Sequence, residues 1–207
     1  MSWCKKFTYI LFTFTYLRGH SIETATIRVF SDLLDAVDRG DTAALVLLDL
    51  SAAFDTVDHE ILLERLRVTF GVDSSALSWF RSYLASCKQH VRCGGNSSPT
   101  TVVVCGVPQG SVLGLMLFII YTADLAVIVV EHGPSLHQYA DDSQIYGSCP
   151  LVATYSLSTD ISLAVDNISS WMRSNLLQLN ADKAEMMRCA SAVTASTLPY
   201  LSRWCIR

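Results

Sequence analysis

Four acids in two places are the residues of this chain best suited to do chemistry. Asp49 closes the apolar run Ala43-Ala44-Leu45-Val46-Leu47-Leu48, and Asp55 follows shortly after it. Asp141-Asp142 sit between two short alternating runs, Leu136–Tyr139 and Ser143–Tyr146. A carboxylate at the exit of a buried strand, facing paired carboxylates in a hairpin turn, can hold two Mg²⁺ ions through hard oxygen ligands. Two such ions serve in-line phosphoryl transfer above other chemistries. Alone, Asp49 would read as a cap or loop acid, and Asp-Asp is common in turns. Together the balance reverses. Adjacent acids repel, and near a third carboxylate each raises the others' pKa, which a divalent cation neutralises.

Other segments add weaker signals. Phe54 lies five residues past Asp49; it could close the floor of a nucleotide pocket or simply pack in the core, and spacing does not decide. Gly106-Val107-Pro108-Gln109-Gly110-Ser111 supplies a turn, backbone N–H groups and the Gln109 amide, able to contact phosphate or a base edge at a helix N-terminus. Lys183, in Leu179-Asn180-Ala181-Asp182-Lys183-Ala184-Glu185, could give a proton to a leaving group. Its plainer role is a surface ion pair with Glu185 or Asp182.

The elements that must position these residues follow from hydrophobic spacing. Ser21–Arg39 carries apolar residues on one helical face, and Gly40 stops it. Ala43–Leu48 is continuously apolar, a buried strand. Asp58 caps a helix through Leu66 that Gly71 closes, and Asp73 or Ser74 caps a second through Leu84. Gln89–Cys93 and Thr101–Cys105 form a hairpin around a loose loop, Gly94–Pro99. Ser111 caps a helix through Phe118 and Tyr121. Leu136–Tyr139 and Ser143–Tyr146 form the acidic hairpin. Leu157–Leu176 is a long helix with Ile161, Val165, Ile168 and Met172 on one stripe. Leu177–Asn180 and Glu185–Cys189 make a last strand pair. Helices and hairpins so interleaved argue for an α+β fold, an antiparallel sheet covered on one face by helices.

The 207 residues allow one domain or slightly more, with 51% apolar and 16% charged residues, enough for a real core. The net charge of −4 is unfavourable for gripping phosphates. Either bound Mg²⁺ offsets the acidic site, or basic surfaces lie in other parts of a larger protein; the second is preferred. Seven cysteines, none in C-x-x-C spacing, suggest free thiols in a reducing compartment. Lys5-Lys6 before the apolar Phe7–Leu17 mimics a signal peptide, but Arg18-Gly19-His20 offers no small-x-small cleavage site, so an intracellular location is expected. Val112–Val130 carries Asp124 and is read as a buried helix with an extension, not a membrane span.

The segments, in this order, resemble the palm of a reverse transcriptase, most closely that of non-LTR, LINE-type retrotransposons. Leu47-Leu48-Asp49-Leu50-Ser51-Ala52-Ala53-Phe54-Asp55-Thr56-Val57-Asp58-His59 resembles the family's first catalytic motif. Gly106-Val107-Pro108-Gln109-Gly110-Ser111-Val112-Leu113-Gly114 resembles its second. Tyr139-Ala140-Asp141-Asp142 resembles its signature turn, and Leu179-Asn180-Ala181-Asp182-Lys183 the following Leu-Asn-x-x-Lys motif. Gly19–Ala25 resembles a segment upstream of the first motif. The resemblance covers roughly residues 18–189, and four motifs in order are far more specific than one.

The resemblance implies an RNA-directed DNA polymerase that joins a deoxynucleoside triphosphate to a DNA primer 3′-hydroxyl on an RNA template. It makes Asp49, Asp141 and Asp142 the ligands of Mg²⁺, with Mn²⁺ a substitute, and the Leu50 carbonyl an assistant. Phe54 becomes a gate against a ribose 2′-hydroxyl, Gln109 and Gly110 contacts to template base or nucleotide, and Lys183 a general acid. The chain departs from the family at Leu115-Met116, where a proline is usual, and at Ala184, where a threonine is. The expected layout is an atypical apolar segment at 1–17, a palm-like domain at 18–190 and a tail at 191–207, with truncated fingers and no thumb. Such a palm would be weak or inactive alone, and would meet its missing regions in a larger protein; no membrane partner is expected. The alternative is a non-catalytic retrotransposon-derived interaction module.

Overall fold

The computed structural model describes residues 22–85 and 87–191. The segment 1–17, and the tail beyond Ser191, lie outside the described residues. The described chain divides into two compact units. One comprises 22–51, 123–174 and 178–191; the other comprises 52–122 and 175–177.

The first unit is built on a four-stranded antiparallel sheet. Its strands are β1 (Thr42–Leu48), β7 (Ser135–Tyr139), β8 (Asp142–Cys149) and β10 (Glu185–Cys189), in the order β10-β1-β8-β7. A further short pair, β2 (Leu50–Ser51) and β9 (Gln178–Leu179), continues from the end of β1. Helix α1 (Ile22–Asp38) packs Val29, Leu33 and Ala36 on Ala43 and Leu45, with Tyr146 and Cys189 beside them. Gly40 ends the helix at φ +84, a left-handed turn that costs glycine little.

Strand alternation puts Ala44, Val46, Ile145 and Gly147 on the opposite sheet face. There α6 (Thr154–Ser174) approaches, close enough that a side chain at Gly147 would meet Leu157. The predicted stripe Ile161, Val165, Ile168 and Met172 is buried. Helices therefore lie on both faces of the sheet rather than one, which is why β1 reads as a continuous apolar run instead of an alternating one. The covering is uneven. On the α1 face, the half of the sheet nearer the acidic turn leaves His137, Tyr139 and Gln144 only half-buried.

Two strand expectations change. Leu177–Asn180 and Glu185–Cys189 do form strands, but not with each other: β9 pairs with β2, and β10 takes the open edge of β1. β10 gains five residue pairs along β1, while β9 pairs with β2 over two.

The second unit holds α2 (His59–Val68), α3 (Ser74–Ala85) and α4 (Val112–Thr122), with α2 packing on both others. The Asp58 carboxylate caps α2, accepting from the Ile61 N–H at 2.9 Å. Between α3 and α4 runs a narrow ribbon of β3 (Lys88–Gln89), β4 (Arg92–Cys93), β5 (Asn96–Ser97) and β6 (Thr101–Val102). The expected loose loop is tighter than predicted. Asn96-Ser97 pair with Arg92-Cys93 around a two-residue turn, Gly94-Gly95, both at positive φ, as a type I′ turn requires.

The apolar stretch 112–131 is long and apolar enough to cross a membrane by length and composition. Half of its most apolar window is buried, and it breaks at Ala123-Asp124 into α4 and α5 (Leu125–Glu131).

Candidate active site

The sheet of the first unit delivers three of the four acids to one end. Asp49 follows Leu48, the last residue of β1, and Leu48 lies opposite Ser143 of β8. Asp142 is therefore one residue beyond that register pair. It is not a turn residue, as the sequence suggested, but the first residue of β8, paired with Tyr139. The turn itself is Ala140-Asp141, with Ala140 at φ +52. This two-residue turn leaves Asp141 at the tip and Asp142 on the strand, so the two carboxylates point differently.

The Asp142 carboxyl is held above the usual carboxylate range, first by burial, then by the charges of Asp141 and Asp49, with Lys183 pulling the other way.

Asp49 is the most constrained of the set. Its carboxylate is largely shielded, while Lys183 is mostly exposed. Lys183 Nζ lies 3.2 Å from Asp49 Oδ2, so its partner is neither Asp182 nor Glu185. Asn180 donates its side-chain amide to the same oxygen at 3.2 Å and its backbone N–H to the Asp49 carbonyl at 2.9 Å. The Asn180 carbonyl in turn accepts from the Lys183 N–H at 3.2 Å. One tight turn thus fixes both Asp49 and its lysine. Sequence reasoning gives Asn180 no role of its own within the Leu-Asn-x-x-Lys motif; its signal is its fixed place beside Lys183. Leu50, next to Asp49, is held in β2 opposite Leu179.

Hard carboxylate oxygens suit Mg²⁺ in kind. In spacing they are looser: among the described residues no three His, Cys, Asp or Glu side chains are gathered tightly enough to hold a metal ion.

The second unit assembles the remaining predicted residues. Phe54 is buried and its ring stacks at a tilt on Phe118, 4.7 Å between centroids. Asp55 is exposed in the turn that follows, its N–H bonded to the Ala52 carbonyl. The Gly106 loop is pinned to this segment. Gly106 N–H donates to the Val57 carbonyl, Val107 N–H to the Phe54 carbonyl, and the Gly106 carbonyl meets His59 Nε2 at 2.8 Å. Gly106, at φ +94, sits so close to Phe54 and Asp55 backbone that a side chain would crowd them. Gln109 and Gly110 stand exposed at the tip of the loop. Ser111 caps α4, its Oγ accepting from the Gly114 N–H at 2.9 Å and donating to the Pro108 carbonyl at 2.8 Å. Gly114 had no assigned role, yet a side chain there would be driven into the Pro108 carbonyl and the Ser111 hydroxyl.

A family model described as reverse transcriptase (RNA-dependent DNA polymerase) matches residues 4–203. The chain belongs to the reverse transcriptase family. Its relatives bear out the LINE-type resemblance. It is 30% identical over 177 residues to a probable RNA-directed DNA polymerase from transposon BS of Drosophila melanogaster, covering 82% of this chain and 19% of that one. It is 28% identical over 202 residues to the RNA-directed DNA polymerase from mobile element jockey of the same fly, covering 93% and 21%. The chain thus spans about a fifth of the length of the curated relatives it matches. Among solved structures it resembles apo telomerase of Candida tropicalis truncated from its C-terminal domain, with a TM-score of 0.63 at 14% identity, over 83% of this chain and 36% of that one. It also resembles telomerase of Candida albicans in complex with a fragment of telomeric RNA, with a TM-score of 0.62 at 13% identity, over 84% and 31%. These likenesses establish the polymerase-type fold of mixed helix and antiparallel sheet.

Proposed function

We propose that this chain carries the catalytic palm of an RNA-directed DNA polymerase, extending a DNA primer on an RNA template with deoxynucleoside triphosphates. The observation that supports it is the register Leu48–Ser143, which sets Asp49 at the same sheet end as Asp142 and the Ala140-Asp141 turn. Asp49, Asp141 and Asp142, with the Leu50 carbonyl, would hold Mg²⁺ or Mn²⁺. When bound, such ions lower the pKa of the primer 3′-hydroxyl and neutralise charge on the leaving pyrophosphate.

The chain's own residues do the rest. Asn180 keeps the Asp49 carboxylate in one orientation. Lys183, long and mostly exposed, can turn from Asp49 to protonate the departing pyrophosphate. The exposed Gln109 and Gly110 offer an amide and a backbone N–H to the templating base or nucleotide. Phe54, its ring packed against Phe118, would serve as the gate against a ribose 2′-hydroxyl.

Primer extension on an RNA template tests this, comparing wild type with Asp141→Asn/Asp142→Asn. Template-directed extension that needs Mg²⁺ or Mn²⁺ and vanishes in the variant is expected, weak in the isolated chain. Extension that persists in the variant, or a folded wild type that never adds a nucleotide, would overturn the proposal and favour a non-catalytic interaction module.

A further inference from the structure

The chain's net charge of −4 hides a strong asymmetry. Residues 74–123 contain Arg81, Lys88, His90 and Arg92 and no acid at all; all 19 Asp and Glu lie outside this stretch. Arg81 is paired with Glu60 at 3.1 Å. Lys88, His90 and Arg92 have no acidic partner among the described residues, and they occupy alternate positions along one arm of the β3–β6 ribbon. Every residue from Lys88 to Val102 is exposed.

This ribbon is not a frayed loop. Lys88-Gln89 pair with Val102-Thr101 at its base, and Arg92-Cys93 with Ser97-Asn96 near its tip. Between them the Ser98 N–H donates to the Val91 carbonyl at 2.8 Å, and the Val91 N–H to Ser98 Oγ at 2.9 Å. The Val103 N–H donates to the Cys87 carbonyl at 3.0 Å and closes the base. A two-stranded ribbon so exposed buries no core of its own, and isolated hairpins are marginal in water. Its composition fits a polyanion: basic side chains repeat about every 6.6 Å along one arm, with Gln89 and Val91 between them, and the returning arm carries Asn96, Ser97, Ser98, Thr100 and Thr101.

We propose that the Lys88–Val102 ribbon is an arm that grips the phosphate backbone of the template or primer strand, with Lys88 and Arg92 as its principal contacts. The proposal rests on the polymerase reading and adds to it the surface that offsets the acidic site. It also relocates the basic surface that the net charge seemed to send outside this chain.

The test is equilibrium binding of the full chain by fluorescence anisotropy, over a salt series. The probes are single-stranded RNA, single-stranded DNA and an RNA–DNA primer-template. Lys88→Gln/Arg92→Gln is compared with wild type, with the charge-preserving Lys88→Arg/Arg92→Lys, and with Arg28→Gln/Arg173→Gln in the other unit. The slope of log K against log salt should fall in magnitude by about 1.4–1.8 in the first variant, since each phosphate contact contributes about 0.9 on B-DNA and about 0.7 on single strands. The charge-preserving variant and the Arg28/Arg173 variant should keep the wild-type slope. The loss should be similar on RNA and DNA, because phosphate contacts carry no sequence or sugar information. An unchanged slope, or an equal loss in the Arg28/Arg173 variant, would overturn the arm. Failure of the polymerase reading shows separately, as no primer extension from a chain that still binds in an arm-dependent way.

Discussion

Removing the Asn180 side chain should weaken the site while leaving its backbone in place. Asn180→Ala loses the amide that reaches Asp49 Oδ2 at 3.2 Å but keeps the backbone N–H that reaches the Asp49 carbonyl. The lost bond is to an ionised, largely shielded carboxylate, a class whose net contribution is about 1.5–3 kcal/mol, here reduced because Lys183 stays beside the same oxygen. A loss of about 1–2 kcal/mol lowers Tm by roughly 2–8 °C in a protein of this size. Freed from one of its two partners, Asp49 also samples more orientations. Removing the group that orients a metal-binding side chain typically costs about 10–100-fold in metal affinity or activity. Thermal melting by circular dichroism reads the first effect, and Mn²⁺ titration by calorimetry the second. Asn180→Asp should be worse in both, since it sets a like charge against Asp49. If Asn180→Ala melts and binds Mn²⁺ like wild type, the clamp on Asp49 has no function and the reasoning fails.

Three further outcomes follow from particular contacts. The Asp142 carboxyl is raised by burial, Asp141 and Asp49, so the folded state disfavours its charge. That penalty is absent below the unfolded carboxylate pKa of about 3.9 and grows as pH rises through the folded value. Asp142→Asn should therefore melt above wild type at pH 7, the gap closing by about pH 4; a constant gap across that range would contradict the assignment. Gly114→Ala should lower stability by about 2–4 kcal/mol, overpacking against Pro108 and breaking the Ser111 cap, as a urea melt would show. Ile168→Ala, at a fully buried position of α6, should lower stability by about 2–5 kcal/mol in the same assay, and Ile168→Val by about 0.5–1.5.

Much of this fold was legible because its strongest signals are local. The run before Asp49 could only be a buried strand, the Ile161–Met172 stripe only a packed helix face, and the Ser111 hydroxyl sat where a cap is needed. What was not legible depends on partners distant in sequence. Nothing local could say that Glu185–Cys189 would take the edge of β1, or that helices would cover both sheet faces. Lys183 had two acids close in sequence, and the choice of Asp49 instead follows from the β2–β9 pairing that brings the turn at Asn180 alongside it. Phe54 shows the same limit: spacing left it between pocket and core, and the ring it stacks on, Phe118, lies far along the chain. Net charge is silent in another way, since an average over the chain does not show a ribbon free of acids.

The claim on which the account stands is that Asp49, Asp141 and Asp142 form one cation-binding site. Mn²⁺ titration of the folded chain, followed by electron paramagnetic resonance, tests it most directly, with wild type set against Asp49→Asn and Asp141→Asn. The account predicts saturable binding in wild type that either single substitution weakens at least tenfold, and that added Mg²⁺ displaces. Binding that is the same in all three proteins, or none in wild type, would contradict it.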